Sequence, residues 1–167
     1  MQFTIRSLDK PADIAAFDCG QTPLNDYIHR YATQDVRRNV ARVFVISPQY
    51  SPSHVAGFYT LSAASVQCTE LPAQIAKKLP RYPIPVASVG RLAVSQDYQG
   101  QGLGSVLLID ACKKVLQARE MIAVTGVLVE AKDSKAVSFY KHMGFMSLSS
   151  QEQRLFLPMQ VIQNLVG

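Results

Sequence analysis

The residues best placed to do chemistry are Gln99-Gly100-Gln101-Gly102-Leu103-Gly104. They follow an apolar run, Val86 to Val94, and precede a helical pattern from Ser105 to Ala118. Three glycines at alternate positions let the backbone of a strand-to-helix turn approach a ligand closely. Such a turn aims N–H groups at one point, and the helix N-terminus behind it adds partial positive charge. The chemistry is that of a phosphate cradle. A dinucleotide fold wants an acidic residue about 20 positions on, after a βαβ unit. Glu120 lies near that distance but precedes the next strand. A Walker loop needs Gly-Lys-Ser/Thr, which is absent. There is no His-Glu-x-x-His, no cysteine pair at metal spacing and no Gly-x-Ser-x-Gly. His29, His54 and His142 are scattered and read as surface residues, so no metal is expected.

The elements around this loop follow from periodicity. Phe3 to Arg6 alternates and predicts a strand; Pro11 to Phe17 predicts a short helical turn. Thr22-Pro23 predicts a helix start, with Thr as cap and Pro at the first helical position. Leu24, Tyr27, Ile28 and Tyr31 predict one buried face on a helix that runs into Arg37-Arg38. Val43 to Ile46 and a stretch within His54 to Val66 predict strands, with Gly57 marking a bulge. Cys68 to Pro85 holds four prolines and a short amphipathic stretch, Ala73 to Leu79. Pro80 to Pro85 predicts a stiff linker, neither helix nor inner strand. Val86 to Val94 then reads as one strand, and the loop's helix offers Leu103, Val106, Leu107 and Ala111 to the core. Ile122 to Val129 predicts a buried strand. Ser134 is expected to cap a helix over Lys135 to His142, ended by Gly144. Phe145 to Leu148 and Arg154 to Leu157 predict a closing strand pair. The order is that of a mixed α/β layer fold, one domain over residues 1–167.

Composition narrows the class. With 48% hydrophobic and 17% charged residues the chain is not disordered. Its apolar runs are too short to cross a bilayer, and Met1 to Lys10 lacks a signal-peptide core, so a cytoplasmic protein with no membrane partner is expected. Cys19, Cys68 and Cys112 are odd in number and widely spaced, which reads as reduced structural thiols. The formal charge is +5, with a pI near 9.2. Arg30, Arg37, Arg38 and Arg42 form one basic cluster, and Lys77, Lys78 and Arg81 another. Each is a polyanion surface or a solvated face.

Gln99-x-x-Gly102-x-Gly104 after Arg91-Leu92-Ala93-Val94 resembles the acyl-CoA signature of the GNAT N-acetyltransferase superfamily. Phe139-Tyr140-x-x-x-Gly144-Phe145 supplies a second motif at the expected separation. Phe17 to Gly20, Leu24 to Tyr27, Gly57 to Leu61, Leu79 to Pro85 and Leu155 to Met159 are similar to the GNAT toxins of bacterial toxin–antitoxin pairs. The resemblance implies the GNAT fold, an α+β mixed sheet, with acetyl-CoA as co-substrate. It implies acetylation of the α-amino group of aminoacyl-tRNA, arrest of translation, a ribbon-helix-helix antitoxin and a homodimer. It also implies that Leu92 and Val94 give backbone groups to the acetyl and pantetheine, that Gln99, Gly100, Gly102, Gly104 and Ser105 line the pyrophosphate, and that Ser134 contacts CoA.

Within that resemblance Tyr140 is the acid for the departing thiolate, because its phenol has one proton to give. The strand Val86 to Val94 offers no carboxylate as base. A lysine amine is about one part in a few thousand neutral at pH 7, whereas an α-amine is about 10–20% neutral. The missing carboxylate is therefore tolerable for aminoacyl-tRNA and awkward for lysine. With tRNA as acceptor, Arg37, Arg38, Lys77, Lys78 and Arg81 become expected phosphate contacts, and Arg91 is either structural or an RNA contact. A GNAT acting on a small amine or a protein N-terminus is the alternative enzyme. A non-catalytic acyl-CoA- or RNA-binding module is the alternative outside enzymes.

Overall fold

A computed structural model describes residues 2–8, 12–149 and 151–166. The strands are β1 (Phe3–Ser7), β2 (Arg42–Pro48), β3 (Gly57–Val66), β4 (Ile84–Val89), β5 (Leu92–Val94), β6 (Gly126–Glu130), β7 (Met146–Ser147) and β8 (Arg154–Pro158). The helices are α1 (Thr22–Asp26), α2 (Ala32–Arg37), α3 (Ala73–Ala76), α4 (Leu103–Ala118), α5 (Ser134–His142) and α6 (Met159–Val166). Strand order is β1-β2-β3-β4-β6-β8-β7, with β5 also paired to β3. β4 and β6 run parallel, while β1–β2, β2–β3, β3–β5, β6–β8 and β7–β8 run antiparallel. This is the mixed α/β sheet that the order of elements predicts.

The chain forms two compact units, Met1–Ser62 with Arg91–Asp110, and Ala63–Gly90 with Ala111–Gly167. In the first, β1, β2 and β3 form an antiparallel meander, and Leu8, Phe17, Tyr27, Ile28, Val43, Val45, Phe58 and Ala93 make the core. In the second, β4, β6, β8 and β7 carry a core of Val66, Leu71, Ile84, Val86, Leu128, Leu148 and Phe156.

Several expectations are corrected, each for a physical reason. Val86 to Val94 is not one strand: it breaks at Gly90-Arg91 into β4, parallel to β6, and β5, antiparallel to β3. Pro85, expected in a linker, lies in β4; it is exposed, and its carbonyl accepts from the Thr125 amide and hydroxyl, so its missing N–H costs that contact nothing. Between α1 and α2 the chain makes a π turn, Tyr27–Tyr31. The extra residue per turn rotates Tyr31 out to solvent and brings Ala32 inside. Gln21, not Thr22, precedes the first helical turn, and it makes no side-chain cap. Gly57 opens β3 where a Cβ would come within 2.8 Å of the Ala93 carbonyl; close approach of β5, not a bulge, requires it. On α4, Val106 is exposed, while Leu108 and Cys112 join Leu103, Leu107 and Ala111 inside. Ile122 is exposed and the strand begins at Gly126. Asp133, not Ser134, caps α5. Of the expected turn Pro11 to Phe17, Pro11 lies outside the described residues; the rest holds a bridge from Asp13 to His54 and a turn at Ala15-Ala16. Helix α6, after β8, has no counterpart among the elements expected from the sequence.

Candidate active site

In the first unit, the site is built on β5 and the loop after it. Thr60 N donates to the Arg91 carbonyl at 3.0 Å and Ser95 N to the Ala56 carbonyl at 2.8 Å. Leu92 pairs opposite Tyr59 and Val94 opposite Gly57. Because an antiparallel ladder alternates, residues 91, 93 and 95 bond toward β3, and Leu92 and Val94 turn their amides to the other edge. Among the described residues β5 pairs with β3 alone, so that edge offers main-chain groups to an extended ligand.

Gly100 and Gly102 both adopt left-handed backbone, φ +82° and +81°. A Cβ at either would meet nothing within 4 Å, so the space over the turn is open and the need for glycine lies in the backbone. Helix α4 starts next, and the amides of Leu103 and Gly104 have no acceptor within the helix. Left-handed glycines at a helix N-terminus with open space above them fit a phosphate group. Ser105 sits half-buried in this first turn. The Gln99 side-chain Nε2 donates to the carbonyls of Cys19 (3.1 Å) and Val94 (3.0 Å).

Tyr140 belongs to the second unit. Its helix, α5, begins where the Asp133 carboxylate accepts from the Ala136 amide at 2.8 Å. It ends at Gly144, φ +103°, with the Phe145 amide bonded back to the Tyr140 carbonyl. The Tyr140 ring packs on Phe139 and Phe145, centroids 5.2 and 5.5 Å away, and is 5% exposed. Burial pushes its phenol up to about 12. It is protonated at neutral pH and suited to donate a proton. Ser134 is exposed at the first position of α5.

The cations are distributed over both units. Arg37 and Arg38 are exposed at the end of α2. Lys77, Lys78 and Arg81 are exposed after α3, and Lys77 and Arg81 line a cleft of about 300 Å³ with Gln67, Thr69 and Leu79. Arg91 is not a buried core arginine: it is exposed, with its guanidinium 3.7 Å above the Tyr27 ring. The Tyr27 hydroxyl donates to Asp35 at 2.9 Å, and burial, with that bond, pushes its phenol up to about 12. Neither this stack nor the Gln99–Cys19 bond is legible in the sequence, because each joins residues far apart in it. Cys19, Cys68 and Cys112 are buried free thiols. Among the described residues no cluster of His, Cys, Asp or Glu is arranged for a metal, and no helix is long and apolar enough to cross a membrane.

Residues 41–147 match the acetyltransferase (GNAT) domain. The chain is 33% identical, over 97% of its length and 95% of the relative's, to a Mycobacterium tuberculosis protein called tRNA-acetylating toxin. It is similar to the structure of AtaT complexed with acetyl-methionyl-tRNAfMet, with a TM-score of 0.91 and 32% identity over 99% of this chain and 100% of that one. It is also similar to a tyrosine-to-phenylalanine mutant of AtaT bound to acetyl-CoA and the C-terminus of the antitoxin AtaR (TM-score 0.83, 30% identity, 99% and 98% covered).

Proposed function

The chain belongs to the GNAT acetyltransferase family, and from that premise we propose that it is a toxin that moves an acetyl group from acetyl-CoA to the α-amino group of aminoacyl-tRNA. One observation carries this reading: likeness over nearly the whole chain to a neighbour holding an acetylated aminoacyl-tRNA. The enzyme is an acetyl-CoA-dependent N-acetyltransferase.

The residues divide the work. Gly100, Gly102, Gly104 and Ser105 hold the pyrophosphate through main-chain donors at the start of α4. Leu92 and Val94 pair their outward amides with the pantetheine arm and align the thioester. Ser134 adds a polar CoA contact. The neutral amine attacks the thioester carbonyl carbon; the N–C bond forms as the C–S bond breaks. Tyr140 gives its proton to the sulfur and is reprotonated from solvent, which also takes the proton lost by the amine. Arg37, Arg38, Lys77, Lys78 and Arg81 neutralise tRNA phosphates.

An acetylated α-amine no longer attacks a peptidyl ester, so the product blocks translation. The substrate places the enzyme in the cytoplasm. A ribbon-helix-helix antitoxin holds it in check, and the active form is a homodimer. The antitoxin complex of the AtaT neighbour supports the first of these partners. The test is incubation with labelled acetyl-CoA and a charged tRNA pool. Label on the amino acid of aminoacyl-tRNA is expected. Label on free lysine side chains in preference to aminoacyl-tRNA overturns the reading.

A further inference from the structure

The proposed chemistry leaves the segment Phe17 to Asn25 without a task, and the structure ties it to the donor loop by side-chain and main-chain bonds. Asn25 Oδ1 accepts from the Cys19 amide at 2.9 Å, and Asn25 Nδ2 donates to Asp18 Oδ1 at 2.9 Å. The same carboxylate oxygen accepts from the Gly20 amide at 2.9 Å. These bonds hold Asp18 below its ordinary carboxylate range, Asn25 first and Gly20 second. The turn is therefore closed on itself. It is also fastened to the loop after β5. Gln96 N donates to the Asp18 carbonyl at 2.9 Å. Gly20 is left-handed, φ +84°, and a Cβ there would come within 2.6 Å of Gln96 Nε2. Above this, the Gln99 amide donates to both Cys19 O and Val94 O.

We propose that Gln99 is a positioning residue that sets the acyl-donor edge in register with the element that carries the acceptor. The proposal rests on the reading of the chain as an aminoacyl-tRNA acetyltransferase. One end of the brace is Val94, whose strand presents the donor edge. The other is Cys19, in the turn that leads into α1 and α2, where Arg37 and Arg38 stand. One side-chain amide thus spans donor and acceptor machinery. Its two N–H bonds are both spent on main-chain carbonyls, which gives the side chain a mechanical task in place of an anionic ligand. The first glutamine of the loop and the Asp-Cys-Gly…Asn phrase are, on this account, two halves of one device.

The experiment compares two acceptors with wild-type protein, Gln99→Met and Asn25→Ala. One acceptor is charged tRNA; the other is an amino-acid ethyl ester, which carries the same amine and needs no RNA docking. In Gln99→Met the ratio of tRNA to ester turnover is expected to fall about tenfold, with acetyl-CoA affinity by calorimetry and melting temperature near wild type. Asn25→Ala, acting on the Cys19 end, is expected to shift the ratio the same way, and the double variant to do no more than the stronger single one. A weakened acetyl-CoA affinity with an unchanged ratio makes Gln99 a ligand contact and overturns the proposal. An equal fall for both acceptors also overturns it. Wild-type protein that acetylates the ester but not charged tRNA instead defeats the functional reading itself, so the two failures are distinguishable.

Discussion

In the proposed reaction the hydroxyl of Tyr140 has to stay protonated until a thiolate appears. Its burial between Phe139 and Phe145 does this by penalising the phenolate, and holds the group at about 12. Tyr140→Phe keeps the ring and its packing and removes the proton. Turnover with charged tRNA is expected to drop by about 10²–10⁴-fold, with acetyl-CoA affinity and melting temperature retained; turnover near wild type would remove Tyr140 from the reaction. The sign of the pH dependence follows. A raised pKa keeps the acid loaded at every pH below it, so no falling limb from Tyr140 belongs between pH 8 and 10. The amine must be neutral, so kcat at saturating acetyl-CoA is expected to rise toward pH 8 and then level. A rate that peaks and declines before pH 9 contradicts the assignment of Tyr140 as the acid. Tyr140 could be picked out beforehand by type and motif; the further rise of its pKa could not, since that comes from burial, with Phe145 packed on the ring across the turn at Gly144.

Two elements carry the proposed chemistry, and each has a point of weakness. In the loop, Gly102→Ala puts a Cβ on left-handed backbone with open space above it. The folding cost is about 1–2 kcal/mol of backbone strain, while the methyl occupies space that a phosphate would use. A modest drop in melting temperature with a much larger loss of acetyl-CoA affinity is expected; loss of stability alone would mean that the glycine serves only the turn. For α5, the cap is Asp133. Removing it in Asp133→Ala is expected to cost about 1 kcal/mol by denaturant melting, whereas Ser134→Ala leaves stability unchanged. The opposite order would restore Ser134 as cap. The pattern Asp-Ser before a helix does not say which residue caps, because both types can; the backbone of Asp133, extended at φ −161°, decides it. The same limit explains the π turn at Tyr27–Tyr31, which a spacing rule written for 3.6 residues per turn cannot foresee.

Over the whole molecule the formal charge of +5 falls on exposed clusters in both units. If Arg37 and Arg38 meet phosphates, then Arg37→Gln with Arg38→Gln weakens tRNA use and flattens the log–log salt dependence by about 1.4–1.8. Acetyl-CoA affinity is expected to stay unchanged. An equal loss of both substrates points to misfolding instead of RNA contact. The sequence by itself determined the mixed α/β class and the glycine turn, and its resemblance to a known family picked out the acyl-CoA signature and Tyr140. The first two are local in the chain, and periodicity or spacing records them. Tertiary structure alone decided that Val86 to Val94 splits at Gly90-Arg91, with β5 paired, among the described residues, to β3 alone. It also decided that Arg91 lies stacked on Tyr27 at the surface, and that the Gln99 side chain joins Cys19 with Val94. The glycine turn needs only the backbone freedom of residues that follow one another. The edge, the stack and the brace need partners up to 80 positions away, and only folding brings those together.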